Sequence, residues 1–321
     1  GDSADVRARK DVSVIASAQE EILSIAAGLG VAGTVGVAGS TSVLSMTNVT
    51  SATTGTGSVV DADGHVRIIA TDHTETDVVD GTLAVGLGAA GVGGAVGVTR
   101  IEKDTTAGVG VGATVNARGN NTASMQALSG NDLTDRDAIT GLMVEANSSE
   151  DLFSVAASAA GGFYAGVSGA VTVTSVDSDT TAVIGSGALI NQGVTNGSAR
   201  QDVNVSAKNH AKLVAYTGSV AGGAVGAAGG VDVGTIKNDT TALIDNNAQI
   251  SSKRDVDVNA LTDADIDSIT VSASGGLGAI AGGVSVYSVG SGLDAEGRKR
   301  LKSDSGDFGD VNSYADDQAS D

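Results

Sequence analysis

Gly86, Gly88 and Gly91, inside the stretch "VGLGAAG" (85–91), have G-x-G-x-x-G spacing. That spacing can build a dinucleotide-binding turn if a strand precedes it, a helix N-terminus meets the pyrophosphate, and an acidic residue follows about 20 positions on. "TLAV" precedes it, and Glu102 and Asp104 follow. Yet Gly28, Gly30 and Gly33 in "GLGVAG" repeat the spacing, and a later region reads "GLGAIAG" (276–282). A cofactor fingerprint is not stamped into successive copies, and "VGGAVGV" (92–98) makes a poor helix, each interior Gly costing about 1 kcal/mol relative to Ala. These glycines are therefore read as packing positions, and no nucleotide cofactor is expected.

Carboxylates are the other candidates for chemistry. Asp61 and Asp63 in "DADG", and Asp304, Asp307 and Asp310 near the end, are candidates for calcium, and no other cofactor is expected. The G-G-x-G-x-D repeat of calcium-binding toxins is missing, and a solvated acidic surface accounts for the same residues. There is no HExxH, GxSxG or Walker loop, and paired carboxylates are too common here to nominate an acid and a base. The chain has no cysteine, and its histidines, His65, His73 and His210, are scattered. No enzyme activity is expected. The recurrent "DTTA" is too sparse for a continuous threonine array and is read as a strand start with a turn aspartate.

The elements that carry these residues have an unusual composition. Among 321 residues there are 47 Gly, no Pro, no Trp, 3 Phe and 4 Tyr. Small side chains suit closely approached backbones, and the absence of Pro fits uninterrupted hydrogen-bond ladders. A net charge of −20 opposes nucleic acid and anionic membranes as partners. The first residues, "GDSADVRARKDVSV", have no apolar core, so any export signal is expected outside this segment. The apolar run 81–98 borders on the length of a transmembrane helix, but its counterparts contain Ser40, Thr41 and Asp232, and no membrane span is expected.

Internal repeats organise the chain. One marker recurs as "VSVIA", "VRIIA", "LMVEA", "VNVSA" and "VDVNA", ending at Ala16, Ala70, Ala146, Ala207 and Ala260. A second ends at Ala52, Ala107, Ala182 and Ala242, the last three times as "DTTA". First-to-second distances are 36, 37, 36 and 35 residues, whereas second-to-next-first distances are 18, 39, 25 and 18. Length variation thus collects at one place in a module of about 54 residues, with insertions at 121–141 and around 191–197 emerging as edge loops. Between the markers lie glycine-rich segments whose later halves alternate, as in "VTVTSV" (171–176), the period of a strand.

The expected fold is all-β, a repeat β-solenoid resembling a parallel β-helix stack. Residues 1–10 lead in. Repeats occupy 11–290, divided as 11–64, 65–141 with the insertion 121–141, 142–200, 201–254 and 255–290. Residues 291–321 form an acidic polar tail or a truncated inter-repeat insertion. Since 54 is three times 18, three short coils per repeat would give a rod roughly 65 Å long; a layered stack of two longer coils is the alternative.

The stretches "SGGLGAIAGGVSVYSVG" (274–290) and "NDTTALIDNNAQI" (238–250), with the "VxVxA" strands, resemble the repeat regions of large secreted bacterial adhesins, filamentous-haemagglutinin-like and leukotoxin-like. The resemblance covers about 11–290. It implies export to the bacterial cell surface, a β-solenoid stalk, and a role in adhesion or matrix formation. The family's secretion domain has no match here, and no binding residue carries over. The expected function is a structural segment of an extracellular adhesin or filament. A self-assembling fibre or sheath, and a ligand-binding module acting through its inserted loops, are the alternatives. Expected partners are other copies of the repeat or a host or environmental surface ligand.

Overall fold

The computed structural model describes residues 1–290. Strict alternation of side chains builds strands throughout, and each module closes as one coil. Coil one holds β1 (Asp5–Ala8), β2 (Val12–Ala32) and β3 (Val35–Thr53). Coil two holds β4 (Val59–Ala62), β5 (Val66–Gly86) and β6 (Ala90–Val109). Coil three holds β7 (Thr114–Ala117), the added strand β8 (Met125–Leu128), β9 (Arg136–Gly162) and β10 (Ala165–Ile184). Coil four holds β11 (Leu189–Ile190), β12 (Gln201–Gly222) and β13 (Val225–Ile244), and coil five holds β14 (Gln249–Ile250), β15 (Val256–Gly275) and β16 (Gly278–Val289).

Equivalent strands stack in parallel into three sheets: a narrow one of β1, β4, β7, β11 and β14, and two wide ones. We call the wide sheets the first (β2, β5, β9, β12, β15) and the second (β3, β6, β10, β13, β16). The sequence markers are columns of this stack. Ala16 lies over Ala70, Ala146, Ala207 and Ala260 in the first wide sheet, and Ala52 over Ala107, Ala182 and Ala242 in the second. The β-solenoid is thus the fold, with one coil per module.

The expected three coils per module, and the alternative of two, are both replaced. Wide-sheet strands run about 20 residues without a turn, so a module of 54 residues is spent on a single circuit. Five coils at about 4.8 Å rise only about 24 Å, and the roughly 65 Å dimension lies across the coil, along the strands. "DTTA" also moves: it lies near the end of a wide-sheet strand, with Asp104 pointing outward from β6 and Thr105 and Ala107 buried.

Each coil has two differently built ends. Where the narrow sheet joins the wide ones, a three-sided prism is filled with Val60, Ile68, Val115, Leu142, Ile184, Val205 and their neighbours. A left-handed residue opens the turn into every narrow strand, at Ser3, Gly57, Gly112, Gly187 and Asn247. At the far end the wide sheets converge on the tips between them. There a Cβ on Gly86 would stand 1.8 Å from the Ala90 carbonyl oxygen, and one on Gly91 2.3 Å from that of Gly161. The three motif glycines serve this close approach, since a Cβ on Gly88 would meet the Gly33 carbonyl oxygen at 2.5 Å. Gly91 already lies in β6, a strand where the nucleotide motif needs a helix.

Candidate functional site

Two arrangements gather polar side chains: a layer sealed inside the coil and a groove on its surface. The inner layer follows from strand phase. In "TRIEKDTTA" alternation turns Ile101, Lys103 and Thr105 inward, so a lysine enters the space between the wide sheets. Its ammonium lies 2.6 Å from Asp72 Oδ1 in coil two and 3.0 Å from Glu150 Oε1 in coil three, with all three side chains fully buried. A charge removed from water needs such pairing, because an isolated buried ion costs several kcal/mol. Hydrogen bonds extend the layer along the stack. Asn48 donates to Glu20 and Asp72, Ser148 and Ser178 donate to Glu150, Asn209 donates to Ser178, and Asn238 donates to Asn209. The layer is closed to substrate and acts within the structure.

The second arrangement is made by the insertion. Residues 121–141 do not stand off the stack as an edge loop; they fold back over the outer face of the first wide sheet. β8 pairs antiparallel with the start of β9, Met125 opposite Ile139. Ala127, Ile139 and Met143 pack with Ile69 and Met125. The hairpin is tied down across several coils. Arg136 pairs with Glu145 at 2.6 Å, the amides of Asn204 and Asn259 both donate to the Leu128 carbonyl, and Arg254 grips Asp202 with two bonds of 2.6 and 2.7 Å while donating to the Ala138 carbonyl. Asp202 is fully buried.

Between this cover and the sheet lies a cavity of about 710 Å³. Its floor includes Asn147, Ser149, Lys208 and His210, and its rim Asn131, Asp132 and Leu133. Lys208 donates to the Leu133 carbonyl at 3.4 Å, and burial together with the nearby Arg136 guanidinium lowers its affinity for a proton. His210 Nδ1 faces Asp263 at 3.4 Å, and His73 Nδ1 contacts Ser149 Oγ at 2.7 Å. Asp132 accepts from the backbone of Thr134 and Asp135 and from the Thr134 hydroxyl, bonds that hold its carboxyl below the usual carboxylate range. The groove therefore offers donors and acceptors flanked by Leu133 and Leu261, which suits a hydrogen-bonding ligand.

The calcium candidates fall elsewhere. Asp61, on β4, forms an ion pair of 2.5 Å with Arg118, and Asp63 accepts from the Asn120 amide at 2.9 Å. Asp304, Asp307 and Asp310 lie outside the described residues. Among the described residues no group of three or more acidic or imidazole side chains is placed to hold a metal, and no helix is long and apolar enough to cross a membrane. Sequence reasoning missed Lys103, Asp72 and Glu150, although their inward phase was readable from alternation. It found the insertion but not the groove, whose floor comes from three other modules.

No protein-family model, curated protein or solved structure matches this chain.

Proposed function

We propose that this chain is a structural segment of an extracellular bacterial surface adhesin or filament, a scaffold on which binding elements are carried. One observation carries the reading: every coil repeats the register of the last, through steps of 54, 76, 61 and 53 residues, and the added length is placed outside the stack. Such a scaffold accepts inserted elements without changing its core. The acidic surface and the sealed polar interior fit a solvated, non-catalytic body. Displaying the chain on a non-adherent bacterium and measuring surface attachment tests the reading. Attachment that rises with the number of coils supports it, and attachment indifferent to the chain counts against it.

The groove favours a second reading, in which the insertion itself recognises a ligand rich in hydroxyl groups, such as a carbohydrate. Replacing Asp132 and Asn131 with Ala leaves the hairpin clamps in place. Loss of attachment in that variant, with an unchanged circular dichroism spectrum, assigns adhesion to the groove; undiminished attachment assigns it to the scaffold.

A further inference from the structure

The far end of the coil inverts the usual polarity of a protein. Between the wide sheets the second sheet turns in Gly91, Gly93 and Ala95 on β6, and Gly166, Ser168 and Ala170 on β10. The sheets stand too close there for large side chains, so the large apolar ones point out. On the outer face of the second wide sheet, five positions from each of five strands form a lattice, and all but Thr41 are Val, Ile, Ala or Gly. It holds no charge in a chain of net charge −20.

The lattice has relief. Gly39, Gly94, Gly169, Gly229 and Gly282 stack in one unbroken column. On one side runs the column Val37, Val92, Val167, Ala227 and Ile280, and on the other Thr41, Val96, Val171, Val231 and Val284. The glycines are a furrow between two ridges. The chain's own packing does not ask for them: a Cβ on Gly94, Gly229 or Gly282 would meet nothing within 4 Å, and on Gly39 and Gly169 only a carbonyl oxygen at 3.9 Å. Glycine weakens a strand and marks places where another backbone or ligand comes close. The outer face of the first wide sheet has no such column, reading Ala27, Gly81, Ala157, Gly218 and Val271 at its centre.

We propose that this face binds the same face of a second copy of the chain, the ridge of each copy seated in the glycine furrow of the other. A furrow one residue wide beside ridges one residue wide is self-complementary, as a two-fold interface must be. Five strands by about nine residues give roughly 24 by 30 Å, or about 700 Å² per copy, close to the 800 Å² or so of a standard interface. The uncharged lattice lets two acidic chains meet without opposing carboxylates. Lipid is the poorer occupant, because a solenoid, unlike a barrel, does not close on itself. Immersed in hydrocarbon it would leave strand-edge backbone groups unpaired, at several kcal/mol each. The pairing goes beyond the scaffold reading and does not depend on it.

The test is sedimentation of the full chain over a range of concentrations, beside the variant Gly94→Val, Gly169→Val, Gly229→Val. Filling the furrow places side chains where the fold leaves open space, so the variant keeps or raises its melting temperature while self-association weakens at least about a hundredfold. Because the chain has no cysteine, Gly169→Cys joins two copies with a short bis-maleimide, and Ala157→Cys on the other face does not. A wild-type chain that stays monomeric at submillimolar concentration overturns the pairing, as does a filled-furrow variant that associates like wild type. Equal cross-linking from both faces, or furrow-dependent flotation with phosphatidylcholine vesicles, also overturns it. A folded monomer would leave the scaffold reading standing, whereas loss of surface attachment with pairing intact would do the reverse.

Discussion

At the scale of single residues, position and phase decide what each side chain costs. Lys103 is held by two carboxylates from two different coils, and removing its charge strands both in a dry interior. Lys103→Ala is expected to destabilise the fold by about 3–5 kcal/mol, measured by urea unfolding. Gly112 separates a backbone effect from a packing effect, since its φ is +63° and a Cβ would touch nothing. Gly112→Ala should cost about 1–2 kcal/mol through the left-handed conformation alone. The inward phase of Lys103 can be read from its neighbours, but its partners cannot. Asp72 and Glu150 lie 31 residues before and 47 after it, and only the stacking register brings them together.

At the scale of elements, strand identity was legible because alternation and the recurring alanines mark it. Coil size was not. Ordinary strands run five or six residues, and that prior favours dividing 54 residues into short coils. Strands of about 20 residues become possible here because glycine lets the two wide sheets nearly touch, so no wide core has to be filled. The sheets also stack like charges. Asp104, Asp179 and Asp239 form one outward column, and burial, then Asp177, Asp239, Asp104 and Glu102, raise the Asp179 carboxyl above its ordinary value. Burial likewise raises Asp80, against bonds from Ser42, and raises Asp257 with help from Asp255 and Asp202. For these three groups the folded state holds the proton more tightly than the unfolded chain. Their contribution to stability therefore falls as pH rises from the ordinary carboxylate value through the raised ones, then levels off. Asp179→Asn is expected to raise the melting temperature at neutral pH and to flatten that part of the pH profile.

The insertion was legible as an interruption in spacing, while its landing place was not, because a hairpin's docking surface is written in other modules. Arg254→Ala leaves Asp202 buried without its guanidinium. It should cost about 1–2 kcal/mol, the partial exposure of the arginine tempering the loss. Hydrogen–deuterium exchange should then speed up in β8 and the start of β9 before the wide sheets respond.

For the body formed by residues 1–289, each added module contributes one layer to the stack. Joining a further copy of 201–254 in register should lengthen the particle by about 5 Å along the stacking direction, measured by small-angle scattering. The three-short-coil arrangement would lengthen it about threefold more. The polar layer at Lys103 bears on how such a body finds its order. Columns of valine, alanine and glycine match almost as well after a slip of two residues, since every side chain keeps its face. The lysine and its two carboxylates do not match after a slip: one step of two moves the ammonium about 7 Å along the strand, away from both partners. In a chain whose modules otherwise speak nearly the same words, that trio tells coil two from coil three during folding. Its loss should appear first as mispaired, aggregating chains.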